Sequence, residues 1–390
     1  MFLGSPERWF AEENIVIDSS DCMSILVVSH PSVISENQAV YAALSREYKL
    51  TLVCPRTWPS EYSPTRTQAS RHQDLAGEFC PRATLRSGKG QQHVYLMRPV
   101  KFISQRNLSL VFLEQEPFSL AALQWGRAAL KSGIRFVVQM DENLDRHMDP
   151  VALRVRRWVL RNASMVIGRS PSACVLAKNW GFSGPTVVVP HAVPGWQQPP
   201  ALSRPRAEGD EFTIGFAGRF LQEKGVLDLL QAAQSVTGHV RVLMVGDGPL
   251  RETLRSWTLP NGYVDVVTGV KHADMPGKFA EMDLLVLPSR TTPQWAEQFG
   301  RVLVEALACG TPVVGSSSGE IPWVVSETGG GVLFPEGDVN KLGEVLDHLS
   351  SNRSLLRHYA DIGQASIERL FSDEACAVAM AAAFRDVVEA

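Results

Sequence analysis

Val240-Arg241-Val242-Leu243-Met244-Val245 runs directly into Gly246-Asp247-Gly248-Pro249-Leu250. The apolar run reads as a buried strand, the two glycines as a tight turn, and a helix follows. A run apolar at five of its six positions belongs to a strand covered on both faces, hence to a parallel sheet with helices outside it. Position 251 is Arg, so the third glycine of a dinucleotide fingerprint is missing, and a plain tight turn describes the segment equally well.

The same alternation of short apolar runs and helical patterns extends in both directions. Upstream stand strands at Ser24–Ser29, Lys49–Cys54, Leu110–Leu113, Phe136–Gln139, Met165–Gly168 and Thr186–Val189, with a helix near 36–46. Residues 60–90 are polar and irregular and read as a long loop. The stretch 194–210 holds Pro194, Pro199, Pro200 and Pro205 and reads as a linker. Strands then resume at Thr213–Phe216, 240–245, Asp283–Leu287 and Pro312–Val314. The fold class is therefore α/β, with two Rossmann-like, doubly wound parallel-sheet domains facing a cleft. The first spans 23–193 and the second 211–373. Residues 1–22 read as an N-terminal extension, because Met23 opens the first clear strand.

Composition sets the frame. The chain has 390 residues, enough for two domains of ordinary size. Its six cysteines form no CxxC pair, which suits reduced thiols and a cytoplasmic protein better than a disulfide framework. No run of about 18 apolar residues predicts a membrane-spanning helix. Residues 1–200 carry 22 Lys and Arg against 16 Asp and Glu, so the first half is mildly basic although the whole chain is −3. That balance suits an anionic acceptor or peripheral contact with the inner face of a membrane. It is too weak for nucleic acid.

Four segments carry the chemistry. In Glu297-Gln298-Phe299-Gly300-Arg301-Val302-Leu303-Val304-Glu305, a helix starts near Phe299 and stops at Gly310. Its free first-turn amides favour a diphosphate, and Gly300 permits close approach. Glu305 can accept from the two hydroxyls of a ribose, and Glu297 from sugar hydroxyls. In Gly218-Arg219-Phe220-Leu221-Gln222-Glu223-Lys224-Gly225, Arg219 and Lys224 suit a diphosphate and neutralise it as it departs. The third segment is the turn with Gly246 and Gly248. The fourth is Ser316-Ser317-Ser318-Gly319-Glu320, a small-residue loop that leaves room for a ligand.

In this order the four segments resemble the retaining GT-B glycosyltransferases of family 4. The resemblance covers residues 213–335 closely and the whole layout loosely. It implies that Glu297, Arg219 and Lys224 carry the catalytic work. The donor is a nucleotide diphosphate sugar, bound by Gly218, Gly246, Gly248, Val270, Phe299, Gly300, Val302 and Glu305. The loop Thr268–Lys271 resembles the nucleobase edge. A last helix over 374–390 crosses back to the first domain. No metal or other cofactor is implied, and a hexose moves from a UDP- or GDP-sugar to a glycan, lipid-linked or small-molecule hydroxyl, as in polysaccharide assembly.

The first domain is less informative. Glu114-Gln115-Glu116 and Asp141-Glu142-Asn143 follow strands and face the cleft. Glu116 or Glu142 can act as a general base and Asn143 can orient hydroxyls; capping and loop solvation explain these three equally well. His191 near the linker can reach the donor or the opposing domain, although a lone histidine is more often structural. The family's paired glycines after the first strand are replaced by His30-Pro31-Ser32, and its histidine after 139 is absent. Arg154, Arg157 and Arg161 share one helix face, which is either simply solvated or meets an anionic acceptor or lipid headgroups. Two alternatives remain: a phosphorylase or epimerase on the same fold, and a nucleotide-sugar-binding protein without transfer activity.

Overall fold

The computed structural model describes residues 23–59, 66–193 and 211–390. The extension read over 1–22 and the linker read over 194–210 lie outside the described residues.

Seven parallel strands form the first sheet: β1 (Ser24–Ser29), β2 (Lys49–Pro55), β3 (Glu78–Arg82), β4 (Leu110–Glu114), β5 (Phe136–Met140), β6 (Met165–Gly168) and β7 (Thr186–Val188), in the spatial order 7-6-5-4-1-2-3. Six more form the second: β8 (Phe212–Arg219), β9 (Val240–Asp247), β10 (Gly262–Val267), β11 (Leu284–Leu287), β12 (Val313–Ser316) and β13 (Gly331–Phe334), in the order 10-9-8-11-12-13. Both sheets reverse direction between their first and fourth strands, at β1/β4 and β8/β11. A reversal opens a crevice beyond the carboxyl ends of the two strands, where open α/β sheets hold ligands.

The helices are α1 (Ala39–Leu44), α2 (Pro99–Ser104), α3 (Leu120–Lys131), α4 (Pro150–Asn162), α5 (Pro171–Asn179), α6 (Val226–Ala233), α7 (Arg251–Arg255), α8 (Met275–Ala280), α9 (Arg301–Ala308), α10 (Ile321–Thr328), α11 (Val339–Ser350), α12 (Arg353–Phe371) and α13 (Asp373–Glu389). In the first domain α2 to α5 bury one face on one side of the sheet, around Trp125 and Phe136. On the other side α1 packs with α13, whose Cys376, Met380 and Phe384 complete that core. The chain end thus supplies part of the first domain's core. The Arg135 guanidinium ties it further by donating to the Val387 carbonyl at 2.6 Å.

Several expectations change. The long loop read over 60–90 contains β3 and a strand Arg66–Gln68 paired with Thr57–Pro59, and a small hairpin joins 84–85 to 94–95. The sequence Glu78-Phe79-Cys80-Pro81-Arg82 hid an edge strand, because proline and charge are tolerated only where one side is unpaired. The edge strands β10 and β13 are half-buried and equally faint in the sequence. The helix read over 36–46 is one 3₁₀ turn, Ser35–Gln38, followed by the six α-helical residues of α1.

Gly246 shows how the second sheet is built. Gly246 is in register with Gly218, and a Cβ on Gly246 would stand 1.9 Å from the Gly218 carbonyl oxygen. Gly248 meets the Phe220 backbone in the same way, at 2.6 Å. The turn after β9 therefore presses against the turn after β8. Gly246→Ala should force the two strand ends apart and cost about 1–3 kcal/mol, read as a lowered melting temperature with near-native circular dichroism. An unchanged melting temperature would refute the packing role.

Candidate active site

The turn after β8 carries Arg219 and Lys224 into the second crevice. Arg219 is exposed and has no ion-pair partner among the described residues. Lys224 lies in a 3₁₀ turn, Gln222–Lys224, that ends in Gly225, whose φ of 66° suits a residue without a side chain. The loop after β11 brings Ser289 and Glu297 to the same place. Glu297 is buried, and its Oε2 accepts from Lys224 Nζ at 2.7 Å and from Ser289 Oγ at 2.9 Å. Lys224 Nζ also sits 4.7 Å from the Trp295 ring centroid. Both contacts fall on one carboxylate oxygen.

That loop is locked from three sides. Arg290 grips Asp228 of α6 with two hydrogen bonds, at 2.5 and 2.7 Å, and its amide donates to the Glu223 carbonyl at 2.7 Å. Ser316, at the end of β12, donates to the Ser289 carbonyl at 2.6 Å. The Glu297 carbonyl accepts from the Glu320 amide at 3.0 Å, and the loop at Gly319 lies so close that a Cβ there would be 2.1 Å from the same oxygen. The turns after β8, β11 and β12 thus converge on one acidic side chain.

Helix α9 begins two residues later than its sequence suggests. Phe299 is buried outside the helix, Gly300 is the N-cap at φ 77°, and Arg301 opens the first turn. The first-turn amides therefore belong to Arg301 and Val302, not to Phe299 and Gly300. Glu305, one turn further, is buried. Its Oε1 meets Arg301 Nε at 3.0 Å and His272 Nε2 at 3.2 Å. His272 draws the loop Thr268–Lys271, with half-buried Val270, towards Glu305. Val302 and Val270 pack on the second core. Gly218 has room on its open side, its nearest Cβ neighbour being Phe216 at 3.5 Å.

The first domain faces this site across the cleft. Asn143 Nδ2 donates to the Glu297 carbonyl at 2.9 Å, so a first-domain amide holds the second-domain loop. The Asn143 loop is itself fixed: Glu116 Oε1 accepts from the Asp141 and Glu142 amides at 2.8 and 3.1 Å. Burial, then the charge of Asp141, raises the Glu116 carboxyl well above its ordinary value. Glu142 is buried against Arg146 at 2.6 Å. Neither glutamate stands open to solvent as a base. His191 Nε2 lies 3.2 Å from Asp141 Oδ1, and its ring packs on Phe299 at 5.3 Å. Burial opposes ionisation of Asp141, but His191 and then Arg169 outweigh it and hold the carboxyl at about 2. Arg169 is buried, 3.0 Å from Glu114, which accepts from the Tyr41 hydroxyl at 2.6 Å.

Ser289, His272 and Arg169 were not legible as site residues, and Asp141 was read only as part of a cleft-facing segment, without a role of its own. Each is a single polar residue in an ordinary context, and only the strand-end geometry brings it into place.

Known proteins agree with this layout. Residues 200–369 match the family described as Glycosyl transferases group 1. Over 271 residues the chain is 28% identical to a 2-deoxystreptamine glucosyltransferase of Streptomyces kanamyceticus, covering 61% of this chain and 69% of that one. Over 152 residues it is 33% identical to a D-inositol 3-phosphate glycosyltransferase of Mycobacterium bovis, covering 36% of this chain and only 30% of that one. Among solved structures, Anabaena HepE in complex with UDP-glucose superimposes with a TM-score of 0.67 at 19% identity, over 93% of this chain and 100% of that one. Residues 200–369 thus resemble the glycosyl transferases group 1 family, and the two parallel sheets share the two-domain fold of the HepE structure.

Proposed function

We propose that this protein transfers a hexose, with retention of anomeric configuration, from a UDP- or GDP-sugar to a hydroxyl acceptor. The observation that carries the reading is the convergence of Lys224, Ser289 and Glu297 beside exposed Arg219 and the start of α9. Arg219, Lys224 and the α9 amides hold the diphosphate. They are most valuable as the sugar leaves and negative charge grows on the departing phosphate. Glu297 Oε2 is fixed by Lys224 and Ser289, so Oε1 is presented to the donor hexose. Gly218 gives the diphosphate backbone access, and Val270 with the loop Thr268–Lys271 borders the nucleobase. The HepE complex supports a uridine nucleotide, and the similarity to a glucosyltransferase supports glucose.

On the acceptor side, His191 and the Asp141–Asn143 loop meet the entering hydroxyl. Glu116 shapes that loop through its backbone, and Glu142 supports it. Charge neutralisation by Arg219 and Lys224 provides for transfer without a metal. The acceptor hydroxyl enters on the face that the nucleotide leaves.

The test is a transfer assay with UDP-glucose and GDP-mannose against glycan, lipid-linked and small-molecule acceptors, read by mass spectrometry. A hexosylated acceptor with retained configuration is the expected product. Conversion of donor alone, with no acceptor product, would point to an epimerase or phosphorylase instead.

Glu305 gives a separate expectation. With Oε1 held by Arg301 and His272, Oε2 is placed to accept from the ribose hydroxyls. Loss of hydrogen bonds to a charged group costs roughly 1.5–3 kcal/mol, so Glu305→Ala should raise the donor KM about 10- to 100-fold with kcat little changed. A fall in kcat at unchanged KM would contradict the ribose role.

A further inference from the structure

The layer α2 to α5 has an unusual charge pattern. Residues 79–113, 117–140 and 150–193 contain no Asp or Glu, and they include all four of these helices. Helices of a soluble protein ordinarily mix both signs on their solvent faces. Here the exposed charges are of one sign: Lys101 on α2, Arg127 and Lys131 on α3, Arg154, Arg157 and Arg161 on α4. The acids in the intervening 141–149 loop each have a partner within the chain, although Asp145 and Asp149 remain exposed. Asp149 caps the first amides of α4, Asp145 accepts from Trp180 Nε1 at 2.7 Å, and Glu142 pairs with Arg146. The opposite side of the same sheet is different, because α13 carries Asp373, Glu374, Asp386 and Glu389.

Each helix of this layer also exposes one large aliphatic side chain: Val100 at 40%, Leu130 at 41%, Val151 at 57% and Val175 at 58%. The hairpin beside α2 adds Leu85 at 54% and Leu96 at 62%. In that hairpin Leu85 pairs with Val94, while Leu96 donates its amide to Ala83. All four side chains therefore share one face, and the opposite face plugs Tyr95 against Trp125. A cationic face dotted with apolar groups, spread over several elements, matches an anionic interface with an apolar interior. No helix among the described residues is long and apolar enough to cross a membrane.

We infer that the α2–α5 face and its neighbouring hairpin dock the protein on an anionic phospholipid surface. The docking face lies on the same domain as the acceptor side of the cleft. It therefore favours an acceptor carried by, or delivered from, a lipid; that clause rests on the transferase reading, whereas docking itself does not. Arg154, Arg157 and Arg161 supply attraction, and Leu85 and Leu96 enter the headgroup region.

The test is flotation of the full chain with phosphatidylcholine vesicles, and with vesicles in which phosphatidylglycerol replaces part of the phosphatidylcholine. The chain should float only with the anionic vesicles, and salt should release it. At about 1 kcal/mol per basic residue near the surface, Arg154→Glu/Arg157→Glu/Arg161→Glu should lower the partition coefficient at least about 100-fold. Leu85→Ser/Leu96→Ser should lower it about tenfold. UDP binding by calorimetry should be unchanged in both, which separates failure of docking from failure of the donor site. If the triple variant unfolds, the leucine variant decides. No flotation, equal flotation with neutral vesicles, or equally tight binding to duplex DNA would each overturn the proposal.

Discussion

Glu297→Ala is expected to lower turnover about 10²- to 10³-fold while leaving the melting temperature close to that of the parent. The effect is large because this carboxylate stands where three strand-end turns meet, held by Lys224 and Ser289. The fold should survive because Glu297 is attached to the framework through its backbone. Its carbonyl accepts from the Glu320 amide and from Asn143, and both bonds persist in alanine. Lys224, a fifth exposed, can turn towards water once its partner is gone. UDP, which lacks the sugar, should bind the variant within a few-fold of the parent. Steady-state kinetics with calorimetry checks both halves, and full turnover in the variant would remove Glu297 from the chemistry.

Lys224→Ala should behave differently. Here the diphosphate itself loses a point charge, so UDP affinity should fall about 10- to 100-fold, the range for a charge-assisted hydrogen bond. Turnover should fall further than affinity, because the same cation also holds Glu297 and meets the growing charge on the departing phosphate. Stability should drop as well. Glu297 would remain buried with only Ser289 for a partner, and a buried charge left without its counter-ion is strongly unfavourable. The melting temperature of Lys224→Ala should therefore lie below that of Lys224→Ala/Glu297→Gln, in which the remaining charge is removed too. A single variant at least as stable as the double would show that the pair is not coupled.

Much of the architecture was legible because central parallel strands are apolar on both faces. β1, β4 and β11 stand out as unbroken apolar runs and β8 and β9 as nearly so, and two alternations separated by a proline-rich stretch give two sheets. The edge strands β3, β10 and β13 did not stand out, since half-burial removes the run and no pattern replaces it. In the site, Arg219, Lys224, Glu297 and Glu305 were visible through their position after strands and at a helix start. The exact start of α9 was not, because Gly300 in a left-handed conformation acts as N-cap without a capping side chain. Gly246 and Gly248 were read as ligand contacts, and the structure shows them against the Gly218 and Phe220 backbones. The interdomain bond from Asn143 to Glu297, and the buried Arg169 behind Asp141, depend on how distant loops meet. No local pattern encodes that.

The most direct measurement is a crystal structure of the chain with UDP. The pyrophosphate should lie between the Arg219 and Lys224 side chains and the first-turn amides of α9, with the ribose hydroxyls on Glu305. A nucleotide bound elsewhere, or a cleft in which packed side chains fill that space, would contradict the account.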